Sequence, residues 1–192
     1  MKTLSAILVT ALATLSVTAL DAQQPQQFDA AQKLRPAHLT SAARIAPTSE
    51  PGTPFVVHAT LLDPAGKPAA GVEVFAYHTD RTGIYAAPGA TDPWRLKGWA
   101  VTGADGRFEF RTIRPGSYPR ESVPAHIHLI FTTHCCGRQA SEMVFDDDPF
   151  VTKDFRERQR DPDIFVFARP SAKPDGSQEV SYTIRLRAKG DS

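Results

Sequence analysis

The chain has 192 residues, with 22 basic against 21 acidic side chains, a net charge of +1, and ordinary hydrophobic (41%) and charged (22%) fractions. That length suits one domain, or one domain with a tail, and the composition permits a sizeable core. Near-cancelling charge excludes the large basic face that grips nucleic acid, and equally an acidic tail.

The first stretch, 1–22, reads as an export signal: Lys2 gives a positive start, 4–20 is apolar and rich in small residues, and cleavage is expected near Ala19 or Ala22. A membrane anchor is the alternative, but the run is broken by Ser and Thr and is marginal for a span of ~20 residues. Export places the mature protein in the periplasm or outside the cell, with no membrane attachment after cleavage. Residues 23–52 are rich in Gln, Ala and Pro and are expected to form an extended lead-in, with one short helix near 29–34.

From residue 53 the pattern changes, and 53–192 reads as one domain. Short runs with β-branched and aromatic residues predict strands over 54–63, 72–78, 97–103, 107–113, 126–134, 141–145, 163–170 and 179–187. Turn signals such as "PAGKPAAG" and "ADG" separate them, and the only later helix signal lies around 150–160. Sixteen prolines fit a loop-rich chain. The pattern predicts an all-β fold, an antiparallel β-sandwich with long functional loops. Cys135 and Cys136 are adjacent and fit no disulfide framework; they read as free or locally bridged. Asp146, Asp147 and Asp148 read as a solvated acidic turn, and His58 and His78 as surface or sheet-facing residues.

The chemistry-bearing stretch is "PAHIHLIF", 124–131. On a strand, positions i and i+2 share a face, so His126 and His128 project into one space. Two imidazoles are a ligand pair for Fe, Cu or Zn, or simply two polar groups on an exposed face, and alone they do not decide between these. Two of the four tyrosines fall on loops: Tyr85 in "DRTGIYAAPG" and Tyr118 in "RTIRPGSYP", eight residues before His126. A phenolate is a hard anionic donor that suits Fe(III), whereas a single tyrosine can equally be a packed ring with a bonded hydroxyl.

Taken together, "GKPAAGVEVFAYHTDRTGIY", "TGADGRFEFRTIRPGSYP", "PAHIHLIF" and "EMVFDDDPF" resemble the intradiol ring-cleavage dioxygenases, over about 54–149. The resemblance implies a non-haem Fe(III) cofactor held by Tyr85, Tyr118, His126 and His128, with Tyr118 released when substrate binds. It implies as partners a small aromatic diol and O2, and as product a muconate-type diacid. Three positions depart from the family pattern. Val123 stands where an arginine is usual, three residues before the first histidine, which leaves Arg120 as the candidate catalytic cation. Glu142 replaces a glutamine and Phe75 a tryptophan, both at positions that would meet substrate. The long helical extension of catechol dioxygenase subunits is missing, and oligomerisation is left open.

Two other readings compete. "LLDPAGKPAAGVEV" with "TGADGRFEFRTIRPGSY" also fits a non-catalytic sandwich of the transthyretin or carboxypeptidase-regulatory kind, which has no reason to carry the four candidate ligands in register. The other is a catechol or iron binder that has lost turnover.

Overall fold

A computed structural model describes residues 27–134, 136–159 and 165–188. The expected export signal, Cys135 and the start of the strand expected at 163 therefore lie outside the described residues. The chain divides into two units, Met1–Leu34 and Arg35–Ser192. In the first, residues 27–32 form helix α1, two residues earlier than the expected 29–34.

Among the described residues the second unit holds ten strands in two five-stranded sheets. One sheet runs β1 (Ala42–Arg44), β5 (Arg107–Ile113), β2 (Pro54–Leu62), β10 (Gln178–Arg185), β9 (Ser171–Ala172). The other runs β4 (Leu96–Val101), β3 (Glu73–His78), β6 (His126–Thr133), β7 (Gly137–Phe145), β8 (Phe165–Ala168). An all-β sandwich is thus what the chain forms. Its hairpin neighbours pair antiparallel as expected, but β1–β5, β2–β10 and β7–β8 run parallel, so both sheets are mixed. Parallel neighbours come from distant parts of the chain, which local turn signals do not report. The lead-in contributes β1.

Alternation makes the core. Phe55, Val57, Ala59 and Leu61 of β2 point inward, as do Phe108 and Phe110 of β5 and Ile127, Leu129 and Phe131 of β6. The layers meet through edge-on ring pairs, Phe55 with Phe145 at 5.2 Å and Phe108 with Phe131 at 6.3 Å. Burying each such ring contributes about 1.5–3 kcal/mol.

His78 also points inward and is fully buried, correcting its reading as a surface residue. Its Nδ1 donates to the Thr79 carbonyl (2.6 Å) and its Nε2 meets Thr112 Oγ1 (2.6 Å), so the ring is satisfied in the core. Helix α2 (Lys153–Arg158) lies within the predicted helical stretch and is capped by Thr152, whose hydroxyl accepts from Phe155 N. Cys136 is disulfide-bonded.

Candidate metal centre

Because the inner face of β6 is taken by Ile127, Leu129 and Phe131, His126 and His128 fall on the outward face of the second sheet. Phe75 and Tyr77 of β3 and Trp99 of β4 share that face. Two loops cover it, 79–95 carrying Tyr85 and 114–125 carrying Tyr118.

The loops meet because two glycines let their backbones touch. Gly83 has φ +83°, and a Cβ there would fall 2.0 Å from the Ser117 carbonyl oxygen. A Cβ at Gly116 would lie 2.5 Å from the Arg81 carbonyl oxygen. The contact is sealed by Gly116 N donating to Asp80 O (2.8 Å) and Thr79 Oγ1 to Gly116 O (2.8 Å). Loop 79–95 is closed on itself by Arg95 N donating to Tyr85 O (3.1 Å), and Arg95 forks onto Glu50 at 2.6 and 2.8 Å.

Four donor atoms converge as a result. Tyr85 Oη lies 2.5 Å from Tyr118 Oη and 2.8 Å from His128 Nε2. Tyr118 Oη lies 3.0 Å from His126 Nε2, and the two Nε2 atoms are 3.0 Å apart. The outer ring nitrogens fix the tautomers. His126 Nδ1 faces the Pro124 carbonyl at 2.7 Å and must donate to it, and His128 Nδ1 faces Glu142 Oε1 at 3.4 Å. Both Nε2 atoms are then bare lone pairs. The ring of four contacts has only two hydroxyl protons to share, so two contacts join acceptor to acceptor. A cation between the four atoms resolves this, and two phenol oxygens with two imidazoles form a donor set suited to Fe(III).

Burial raises the pKa of both phenols, reinforced at Tyr85 by Tyr118 and at both by the Glu142 carboxylate. They therefore need a cation's charge to ionise near neutrality. Burial, with the neighbouring His128, depresses His126 and keeps it neutral, as a ligand must be. Burial alone would raise Glu142, but the hydrogen bond it accepts from the His128 ring outweighs this and holds it low. His126, His128 and Glu142 bring ligand atoms within 4.8 Å of one another. Glu142 sits directly across the strand from His128 and meets Nδ1, the side of the ring away from the phenols. That makes it an orienting partner of the imidazole rather than a fifth donor at the shared centre.

Among the sequence-predicted residues, Tyr85, Tyr118, His126 and His128 come together, with Glu142 behind them. Phe75 lies one ring further out, 5.6 Å from Tyr77 between centroids. Arg120 is exposed in the left-handed region (φ +69°) and has no hydrogen bond or ion pair among the described residues, and Val123 is half-buried.

Three residues outside the expected site set support it. Tyr77 is sandwiched between Trp94 (4.0 Å, 21°) and His128 (4.5 Å, 13°), so a continuous stack holds the imidazole face. The alternation of β3 could have placed Tyr77 beside Phe75, but Trp94 comes from a loop that no periodicity locates. Asp148 is buried, correcting the solvated-turn reading. It accepts from Ala125 N (3.0 Å), Ser117 Oγ (3.1 Å) and Phe150 N (2.9 Å).

The sequence profile of a dioxygenase family matches residues 31–188, well beyond the 54–149 of the motif resemblance. The protocatechuate 3,4-dioxygenase beta chain of Burkholderia cepacia is 32% identical over 157 residues, covering 72% of this chain and 66% of that one. Catechol 1,2-dioxygenase 1 of Acinetobacter lwoffii is 31% identical over 125 residues, 55% of this chain and 40% of that one. The chain thus spans less than two thirds of the length of these relatives. Among solved structures, the dioxygenase domain of a carbohydrate-binding fusion protein from Streptomyces sp. SirexAA-E superposes with a TM-score of 0.61 at 26% identity. That match covers 80% of this chain and 92% of that domain. Catechol 1,2-dioxygenase from Acinetobacter sp. ADP1, at 21% identity and a TM-score of 0.64, covers 89% of this chain and 69% of its own and shares the fold. With its profile match and its sandwich, this chain belongs to the intradiol ring-cleavage dioxygenase family.

Proposed function

We propose that the chain binds one ferric ion through Tyr85, Tyr118, His126 and His128 and opens a catechol-type diol with O2. Cleavage falls between the two hydroxyl-bearing carbons and puts both oxygen atoms into a muconate-type diacid. The observation that carries this reading is the proton-deficient ring of four donors, two phenols and two bare Nε2 atoms within 2.5–3.0 Å. An ion held there would supply Lewis acidity, drawing electron density from a bound diol and easing attack of O2 on its ring.

The chain's own residues do the rest. Tyr118 sits beside the exposed residues Pro119, Arg120 and Glu121, so its loop has room to swing. Once displaced, its phenolate is the base that takes a proton from an incoming diol hydroxyl. Tyr85 stays tied through Arg95 N. Glu142 keeps His128 in the Nδ1–H tautomer, and the Trp94–Tyr77–His128 stack fixes the ring plane. Phe75 and Trp99 extend that aromatic wall beside the site. In the same reading, 1–22 directs export, which the N-terminal sequence of the mature chain checks.

Among the described contacts no lysine or arginine touches the four donors, and Val123 occupies the position where the family has a cation. This favours, as a second reading, a centre that binds ferric ion and diols without turnover. Metal analysis with a visible spectrum tests the shared part: bound iron with a broad tyrosinate charge-transfer band is expected. A colourless protein that takes up no ferric ion overturns both readings. Oxygen uptake with simple catechols separates them.

A further inference from the structure

The two halves of the centre are supported differently. Tyr85 and His128 are held by Arg95 N, by Glu142 and by the Tyr77 ring. Tyr118 and His126 have none of these. Instead, the residue before each of them reaches the same atom. Ser117 Oγ donates to Asp148 Oδ2 at 3.1 Å, and Ala125 N donates to the same oxygen at 3.0 Å.

The other oxygen, Oδ1, accepts from Phe150 N at 2.9 Å, which fixes the carboxylate plane. The turn beneath is rigid in its own right, through Asp148 N to Phe145 O and Val151 N to Asp148 O, both 3.0 Å. Only 8% of Asp148 is exposed, so water does not compete for these bonds.

We infer that Asp148 is a positioning residue that sets the separation and aim of Tyr118 and His126, by joining the residue ahead of each, through the Ser117 hydroxyl and the Ala125 N–H, to one buried carboxylate oxygen. The chain between Ser117 and Ala125 can then move as a flap about two fixed ends. Tyr118 leaves its place by rotation of the flap while His126 stays put. Bonds to a carboxylate are about twice as strong as neutral ones, which suits an anchor that must hold while the segment beyond it moves. The inference rests on the ferric reading for its colour readout and not for its structural one.

The test compares the full-length chain with Asp148→Asn, Ser117→Ala and Asp146→Asn. An Asn side chain keeps one accepting oxygen but replaces the other with an NH2 that only donates, so it cannot accept from Ala125 N, Ser117 Oγ and Phe150 N together. Asp148→Asn is expected to weaken ferric binding ~10–100-fold, the usual cost of losing a group that orients ligands. Ser117→Ala deletes only the Tyr118 arm. It should leave ferric affinity within about threefold of wild type, as His126 keeps its anchor, and should shift the tyrosinate band and its response to added catechol.

Asp146 lies on the same turn but pairs with Arg169 and Arg156, so Asp146→Asn should change neither affinity nor colour. Amide hydrogen exchange gives the second readout, with faster exchange over 114–127 and unchanged exchange over 79–95 in both anchor variants. If both match Asp146→Asn in colour and exchange, the inference is overturned. Should Asp148→Asn not fold, Ser117→Ala decides alone. Should wild type bind no iron, the ferric reading falls and the exchange pattern still decides the positioning role.

Discussion

His58 and His128 occupy matching positions on the two sheets. Each stands on an outward face, and each turns Nδ1 towards a carboxylate directly across the neighbouring strand. His58 meets Glu109 at 3.2 Å and His128 meets Glu142 at 3.4 Å. Around His58, among the described residues, the one other ion-pair partner is Glu179, 3.7 Å from Nε2, and the side chain is 41% exposed. Around His128 two loops close over the sheet, and Nε2 meets Tyr85 Oη at 2.8 Å and a second imidazole at 3.0 Å. Strand alternation delivers a histidine to a face on either sheet. What separates an ordinary surface pair from a candidate centre is the cover, which brings two phenol donors to the imidazole pair on the strand and shields them from water.

The largest expected contrast follows from deleting each ring. His128→Ala removes one of four donors, and its ferric affinity should fall by more than about 100-fold, beyond the range found when only an orienting group is lost. Ferric titration followed in the visible band measures it. Retained colour and affinity in that variant would move the centre elsewhere.

A third histidine sharpens the comparison, since His78 faces neither outer surface. Burial is the main cause that pushes it from 6.5 down to about 4. A depressed histidine leaves stability intact above pH 6.5, where the unfolded chain is also neutral. Stability is lost as the pH falls towards 4, because the unfolded chain takes a proton that the native ring refuses. The shift corresponds to about 3 kcal/mol by the bottom of that window. Urea melts at pH 7 and pH 4.5 should show the loss in wild type and a flatter dependence in His78→Asn. Equal slopes would mean that His78 takes up its proton in the folded chain as easily as in the unfolded one.

The sequence is legible where periodicity rules. Alternation in 126–134 placed His126 and His128 on one face, and the strands of the core fell where the apolar runs are. Tyr85 and Tyr118 were legible only through the family resemblance, because their meeting depends on Gly83 and Gly116 allowing two backbones to touch. No local pattern announces such a crossing. Asp148 misled for a related reason. Three acidic residues in a row look solvated, yet the turn points two of them at arginines and the third inward. The parallel pairings of β1, β8 and β10 likewise depend on distant partners.

Glu142 and Glu109 allow a gentler form of the same contrast. In Glu142→Gln the amide oxygen still accepts from His128 Nδ1, but the charge that favours this tautomer is gone. Ferric affinity should fall about tenfold, at the low end for groups that orient a ligand. The charge acting on Tyr85 and Tyr118 also disappears, easing ionisation of both phenols and moving the tyrosinate band. A wild-type band in Glu142→Gln would show that this carboxylate does not reach the phenols.

The smallest effect belongs to the exposed pair. His58 and Glu109 gain little from meeting in water, where screening and side-chain entropy offset the attraction, so such pairs contribute about 0.2–1 kcal/mol. Glu109 has a second partner, since Arg111 Nε donates to it at 2.7 Å, so deleting the histidine does not leave the carboxylate alone. His58→Ala should therefore shift stability by less than about 0.5 kcal/mol and leave ferric uptake and colour as in wild type. Thermal melts at low and high salt, beside a ferric titration, measure both. A loss of iron in His58→Ala would mean that the two outward faces are coupled through the core, and that the cover over the second sheet is not what distinguishes them.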